Sequence, residues 1–166
     1  MMKMFKNAIL AVVAVIGMQT ANAQAKTAHV DVNEITTKMP SILEARKQLE
    51  KLNESYSKDY KTLVEEYQAK AKKYDAEAGT VSDAVNQTRQ QEMQDMAKRI
   101  SDFQETAQTE LQKKEGELMK PLIDKIKASI SKVGKAKGYQ YVLDASGLLL
   151  ADGPDITADV KKDLGF

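Results

Sequence analysis

Apolar side chains recur with a helical period through the middle of the chain. Residues 41–78 contain no Gly or Pro, and their apolar or aromatic positions lie 3.6 residues apart on average over ten steps. This spacing predicts an α-helix with one narrow apolar stripe. From Leu52 onward the steps follow an eleven-residue repeat, which keeps the stripe on one face of a nearly straight helix. The stripe includes Tyr56, Tyr60, Tyr67 and Tyr74.

A second helix with the same period is predicted from residue 83 to about Lys120. Residues 79–83 separate the two helices with a glycine followed by Ser and Asp, residues that typically end one helix and begin the next. Two helices of nearly equal length predict an antiparallel hairpin, the predicted arm, over residues 41–120 with its tip at about 79–83. Acid-first i,i+4 pairs such as Glu66/Lys70 and Asp95/Arg99 are expected on its polar faces. The second stripe comprises Met93, Met96, Ile100, Phe103, Ala107, Leu111, Leu118 and Leu122.

The two ends of the chain carry strand patterns instead. Residues 139–143 and 148–151 are apolar runs separated by turn-forming residues, which predicts a β-hairpin. A lone hairpin is marginally stable in water, so a third strand is needed. Residues 28–32 alternate apolar and polar side chains as a half-buried strand does. We therefore predict a small domain with three strands, built from residues 24–40 and 121–166, which we term the predicted head.

Helices are expected around these strands, which makes the predicted fold class α+β. A short helix over residues 34–39 is stopped by Pro40, and Ser41 has the spacing of a capping box. Pro121 starts or kinks a further helix whose wider apolar face suits a sheet. A last short helix is predicted over residues 156–164.

The predicted head is too small to be stable alone. Its 63 residues bury a modest core, and three strands leave two open edges. We therefore predict a homo-oligomer in which copies close a shared β-barrel, a trimer being the smallest ring that closes comfortably. The residues assigned to this oligomerisation surface are Val30, Val32, Tyr141, Leu143, Leu148 and Leu150.

The first 23 residues have the pattern of a cleaved secretory signal peptide. Lys3 and Lys6 precede an apolar run over residues 8–18, and small residues lead to a predicted cleavage after Ala23. Eleven apolar residues are too short to cross a hydrocarbon core of about 30 Å. The sequence thus predicts an exported protein without an integral membrane segment, while peripheral contact with a membrane stays open.

Composition removes most chemical functions from consideration. The chain has 25 Lys and Arg against 24 Asp and Glu, no Cys and one His, His29. A balanced charge does not favour nucleic acid, and the chain shows no phosphate-binding glycine loop and no nucleophile motif near His29. The spacing of Asp144, Asp152 and Asp155 is not that of an EF-hand, which favours turn and cap roles. We expect no enzyme activity, cofactor or metal.

Two segments of the chain resemble a known family. "AHVDVNEI" follows the signal peptide, and "GYQYVLDASGLLLADGPDITADVKKDL" closes the chain after a long Gln/Lys/Glu-rich helical stretch. Together they resemble the Skp/OmpH family of periplasmic chaperones. The resemblance implies a trimer with a β-barrel body and three helical tentacles around a cavity. That cavity would hold unfolded outer-membrane β-barrel proteins, without ATP, in the periplasm of a Gram-negative bacterium.

Two interpretations stay open for the function and for the candidate binding residues. The chain is expected to be a holdase, with a structural or adaptor protein of the cell envelope as the alternative. The four stripe tyrosines either contact client proteins or pack the two helices together. Three lysines near the base of the predicted arm either meet acidic clients or form an ordinary solvated face. These lysines are Lys125, Lys127 and Lys132.

Overall fold

The structure is a computed structural model that describes residues 25–166, so the predicted signal peptide and its cleavage site after Ala23 lie outside the described residues. The chain forms two compact units. The head unit comprises residues 25–35 and Ile126–Phe166, and the arm unit comprises Thr36–Lys125. The elements in chain order are β1 (Thr27–Val30), α1 (Val32–Lys38), α2 (Pro40–Glu77), α3 (Asp83–Ala136), β2 (Tyr141–Asp144) and α4 (Thr157–Leu164).

The first strand lies in the middle of the strand region of the head unit. β1 runs parallel to β2, with Thr27 opposite Tyr141. Along its other edge, the His29 amide donates to the carbonyl of Pro154 at 2.9 Å, and the Ile156 amide donates to the carbonyl of His29 at 3.0 Å. The prediction that the first strand joins the late apolar segment is confirmed.

The predicted hairpin is wrong in its second half. Residues 148–151 form no strand, and a 3-10 turn at Ala145–Gly147 follows β2. In that turn the Asp144 carboxylate accepts a hydrogen bond from the Ser146 amide at 3.1 Å. Short hairpin turns place residues at positive φ, whereas positive φ in the described chain occurs at Gly138 and Gly165. The chain therefore does not reverse at Gly147, and residues 154–156 take the place beside β1.

Three smaller expectations about helix boundaries also need correction. Val32 is the first residue of α1 rather than the end of the strand, because the Asp31 carboxylate accepts from the Glu34 amide at 2.7 Å and caps the helix. α1 ends at Lys38, just before Pro40 as expected, but Pro40 also starts α2, and the predicted capping box at Ser41 is wrong because no side chain caps that helix. Pro121 starts no helix, since it lies inside α3.

The head unit has a compact apolar core. Val30, Ile35, Ile156 and Val160 are at most 2% exposed. The polar groups beside this core are paired: the Ser129 hydroxyl donates to the Asp163 carboxylate at 2.7 Å, which satisfies a group that would otherwise be costly to bury. Short elements from both ends of the chain are thus held together by side chains that are fully removed from water.

The arm unit is an antiparallel pair of long helices. Tyr56 of α2 contacts Phe103 of α3, and Glu77, near the end of α2, contacts Arg89, near the start of α3. The two helices therefore run in opposite directions. The predicted stripes are confirmed as the less exposed faces of both helices, although Tyr60 and Ala78 are exposed. Within residues 25–166, no helix combines the length and the apolarity needed to cross a membrane.

Candidate functional site

An open groove, which we term the arm groove, lies between α2 and α3 in the arm unit. Its volume is about 800 Å³. Apolar and aromatic side chains from both helices form its floor, and polar side chains form its two rims. The lining residues are Leu49, Glu50, Asn53, Tyr56, Ser57, Tyr60, Phe103, Gln104, Ala107, Gln108, Leu111, Gln112 and Glu115.

The stripe itself creates this groove. Ala107 occupies a stripe position between Phe103 and Leu111, so a short side chain stands where its neighbours are large. The ring of Tyr56 meets the ring of Phe103 edge to face, with centroids 6.0 Å apart and planes at 75°. This geometry is favourable for aromatic pairs, and both residues line the groove. Tyr60 is 38% exposed, so it presents an aromatic surface to solvent.

The rims carry amides and two carboxylates. On α3 the amides are Gln104, Gln108 and Gln112, whose i,i+4 spacing places them in one row along the helix. Glu50 and Glu115 are the charged residues of the lining, which contains no Lys or Arg. The groove therefore combines an apolar floor with hydrogen-bonding edges of negative charge.

A second feature of the arm unit is a set of polar side chains that we term the cross-helix cluster, made of residues 66, 70, 74, 77, 89, 92 and 99. Glu92 receives an ion pair from Lys70 and a hydrogen bond from the Tyr74 hydroxyl at 2.5 Å. The Arg89 guanidinium lies 4.5 Å from the centroid of the Tyr74 ring, a cation–π contact, and pairs with Glu77 at 2.5 Å. Arg99 on α3 pairs with Glu66 on α2 at 3.2 Å.

These contacts shift the pKa values of three groups. The hydrogen bonds from Lys70 and Tyr74 to Glu92 hold the pKa of that carboxyl below its ordinary value, because they favour its charged form. The same contacts raise the pKa of the Lys70 ammonium and of the Tyr74 hydroxyl. The ionised form of Glu92 therefore helps to hold the two helices together at neutral pH.

The structure divides the four predicted tyrosines between different environments. Tyr56 and Tyr60 line the groove, whereas Tyr74 belongs to the cross-helix cluster. Tyr67 is half-buried between these two regions of the same helix. The tyrosine row is thus not one continuous surface, and only its first half borders an open space.

The three predicted lysines are all exposed on α3. Lys132 forms an ion pair with Asp163 at 2.5 Å within the head unit. Lys127 also belongs to the head unit, and Lys125 belongs to the arm unit. Their exposure leaves both of the interpretations made from the sequence open.

The residues assigned to oligomerisation also fall into two groups. Val30 is buried inside its own chain, and Val32 and Leu148 are half-buried. Tyr141, Leu143 and Leu150 are exposed, and Leu149, which the sequence argument did not single out, is fully exposed. We refer to these four exposed side chains of the head unit collectively as the head patch.

Sequence reasoning also missed two features of the arm unit. It placed Glu66 with Lys70 on one helix, whereas each of them pairs with a residue on α3. It did not single out the glutamine row, although the i,i+4 spacing of Gln104, Gln108 and Gln112 is readable from the sequence. Cross-helix partners depend on how the two helices are rotated and offset, which no single helix specifies.

Comparisons with known proteins agree on the family. A family model described as outer membrane protein (OmpH-like) matches residues 26–164. A protein of Aquifex aeolicus described as uncharacterized is 30% identical over 138 residues, which cover 81% of this chain and 83% of that protein. Outer membrane protein 26 of Haemophilus influenzae is 40% identical over 58 residues, and that match spans 34% of this chain and 29% of that protein's length.

The fold also has a counterpart among solved structures. A crystal structure from Caulobacter crescentus, of a protein provisionally assigned as an outer membrane chaperone (OmpH-like), matches with a TM-score of 0.75 at 16% sequence identity. The match covers 87% of this chain and 86% of that one. This level of identity supports a common fold, and the family model and the Aquifex protein add matches over most of the sequence. The chain belongs to the OmpH-like outer membrane protein family.

Proposed function

We propose that this protein is an ATP-independent holdase chaperone of the periplasm that keeps unfolded outer-membrane β-barrel proteins from aggregating. Membership in the OmpH-like family supports a chaperone role, as does the fold shared with the Caulobacter crescentus protein. The signal-peptide pattern of residues 1–23 supports export.

The arm groove is the observation that carries the proposal. Its floor offers aromatic and aliphatic surface that α2 and α3 leave open, and its rims offer hydrogen-bonding groups. A surface of this mixed kind suits an unfolded chain that exposes both apolar side chains and backbone. Many weak contacts of this sort, repeated on several copies of the arm unit, hold a client firmly yet release it without an energy source.

We further propose that the protein is a homo-oligomer, with a trimer as the expected state. β2 pairs with β1 along one edge, and no other strand in residues 25–166 pairs with its second edge. Two side chains of β2 itself, Tyr141 and Leu143, are 60% and 43% exposed. Open strand edges and exposed apolar patches are hazards that soluble proteins cover. Sister copies of the same chain are the proposed cover.

An aggregation assay tests the holdase function. An unfolded outer-membrane β-barrel protein is diluted from denaturant with increasing amounts of this protein, and light scattering follows its aggregation. We expect suppression at near-stoichiometric amounts, with no change on addition of ATP. An adaptor would instead bind a folded envelope protein and leave aggregation unsuppressed, and that result would refute the proposal.

The oligomeric state is tested by mass measurement in solution. We expect the wild-type protein to have the mass of about three chains and to bind the unfolded client without dissociating. Leu143→Lys places a charge in the head patch and is expected to shift the protein toward monomers. Leu43→Lys makes the same change at a leucine of α2 that is 48% exposed and outside the head patch, and it is the control. A stable wild-type monomer at low concentration would exclude the assembly.

A further inference from the structure

The arm groove combines an apolar floor with polar rims, as a binding site for one extended peptide segment would. We infer that it binds a stretch of unfolded chain whose apolar side chains alternate with uncharged polar ones and which has no Asp or Glu. This inference rests on the proposed function and specifies which part of a client the arm unit recognises.

The glutamine row matches the repeat of an extended backbone. Successive glutamines at i,i+4 spacing are about 6.0 Å apart along a helix, and every second residue of an extended strand is about 6.7 Å apart. Over the two steps from Gln104 to Gln112 the mismatch is roughly 1.4 Å, which flexible side chains absorb. A glutamine amide both donates and accepts, so it can pair with the N–H and the C=O of a peptide backbone.

The three amides are available for such pairing. All three residues are exposed, and within the described chain their side chains have no hydrogen-bond partner. Contacts to backbone groups do not depend on the client's side chains. A row of amides therefore suits a protein that receives many different sequences in extended form.

The floor of the groove selects for alternation. Successive side chains of an extended segment point to opposite faces, so every second one enters the groove while the others face water. The entering side chains would meet Tyr56, Phe103 and Ala107, which line the floor. A volume of about 800 Å³ lies within the range of sites that hold small ligands. Strands of outer-membrane barrels alternate apolar and polar side chains in this way.

The charge of the rims excludes acidic segments. Glu50 and Glu115 stand on opposite helices, and the lining contains no Lys or Arg that would neutralise an incoming carboxylate. Like charges at short range repel, so an Asp or Glu in the bound segment lowers its affinity. The groove thus favours segments that are apolar and uncharged over acidic ones of equal length.

Three labelled ten-residue peptides test the specificity of the wild-type protein by fluorescence polarisation. One alternates Val and Thr, the second has the same composition with the five Val residues in a block, and the third replaces two Thr residues by Glu. We expect the alternating peptide to bind at least several times more tightly than the other two. Equal binding of the alternating and block peptides would overturn the inference.

A glutamine-to-alanine triple variant tests the row itself. Gln104→Ala/Gln108→Ala/Gln112→Ala is expected to weaken binding of the alternating peptide at least about tenfold, because three backbone hydrogen bonds are lost. Alanine is the strongest helix former, so the arm unit is expected to keep its helix content by circular dichroism. The matched control, Gln68→Ala/Gln87→Ala/Gln90→Ala, changes three exposed glutamines outside the groove and is expected to bind as the wild type does. Equal losses in both variants would refute a specific role for the row.

The aggregation assay separates this inference from the proposed function. If the wild-type protein suppresses aggregation but shows no preference for the alternating peptide, the groove inference fails and the holdase function stands. If the wild-type protein prefers the alternating peptide but does not suppress aggregation, the holdase function fails, and the groove remains a peptide site.

Discussion

The head unit and the arm unit bury their apolar side chains to different degrees. In the head unit, Ile35 and Val160 are fully buried, and Val30 and Ile156 nearly so. In the arm unit, the buried residues are Met39, Ile42 and Ala45 around the start of α2 and Ala107 on α3, and all other stripe positions up to residue 125 are half-buried or exposed. Burial of apolar surface is the main favourable term in folding. The head unit is therefore expected to hold most of the stability, while the arm unit stays adaptable.

The ion pairs of the arm unit do not change this conclusion. Pairs such as Lys98–Asp102 and Lys61–Glu65 are exposed, and exposed pairs contribute about 0–1 kcal/mol each. Helices held by a thin stripe and solvated charges open locally at low free-energy cost. Under the proposed holdase function, such local opening would let the arm unit adapt to clients of different size.

The largest expected effect comes from truncating the head core. Ile156→Ala removes a fully buried side chain, and such changes typically lower the free energy of unfolding by about 2–5 kcal/mol. Leu63→Ala, at a half-buried stripe position of α2, is expected to cost about 1 kcal/mol. Urea denaturation followed by circular dichroism measures both changes. A loss for Leu63→Ala as large as that for Ile156→Ala would remove the distinction between the two units.

Two glycines of the same helix sharpen the comparison. A Cβ at Gly134 in the head unit would lie 2.8 Å from Cγ2 of Val142, whereas a Cβ at Gly116 in the arm unit would meet nothing within 4 Å. Gly116→Ala is therefore expected to stabilise the protein by up to about 1 kcal/mol through helix propensity. Gly134→Ala gains the same helix propensity, but its new methyl group overpacks the head unit against Val142, which is expected to lower the free energy of unfolding by about 1–3 kcal/mol.

Thermal unfolding tests these opposite signs. The melting temperature is expected to rise for Gly116→Ala and to fall for Gly134→Ala. Adding Val142→Ala to the Gly134→Ala variant removes the clashing methyl group and is expected to remove part of the loss. Stabilisation by Gly134→Ala alone would show that the helix and β2 can separate at no cost.

The smallest expected effect concerns pH and the cross-helix cluster. The folded state holds the pKa of Glu92 below its ordinary 4.5, chiefly through the hydrogen bond from Lys70. Ionised Glu92 therefore stabilises the arm unit above pH 4.5, and this contribution is lost as the pH falls through the folded-state pKa. Thermal unfolding between pH 3 and pH 7 is expected to show an acid destabilisation that Glu92→Gln reduces, while Asp155, whose pKa is also lowered, keeps its share.

A matched variant and the alkaline range complete that test. Glu105→Gln changes an exposed carboxylate outside the cross-helix cluster and is expected to retain the acid destabilisation. At high pH the sign reverses, because the pKa values of Lys70 and Tyr74 are raised in the folded state. The protonated forms of both groups therefore stabilise the folded state as long as the pH is below their ordinary pKa values of 10.5 and 10.0. That contribution is lost as the pH rises through their folded-state values. A Glu92→Gln profile identical to that of the wild type would contradict the role assigned to Glu92.

The periodic parts of this fold were predictable from the sequence, and the irregular parts were not. The 3.6-residue spacing and the glycine at position 79 predicted both arm helices and the break between them, because a helix depends on local periodicity and capping. The neighbour of β1 was harder to predict. Residues 148–151 look more like a strand than residues 154–156, yet the latter lie beside β1.

The sequence by itself determined the two long helices, the break between them and their stripes, since each follows from local pattern. It also placed the first strand with the late segment, because a lone hairpin needs a further strand. Only the tertiary structure decided which stripe tyrosines border an open groove, which charges pair across the helices, and which leucines stay exposed. Those features depend on the rotation and offset of one helix against another. Many weak contacts along both helices set that arrangement together, so no single segment encodes it.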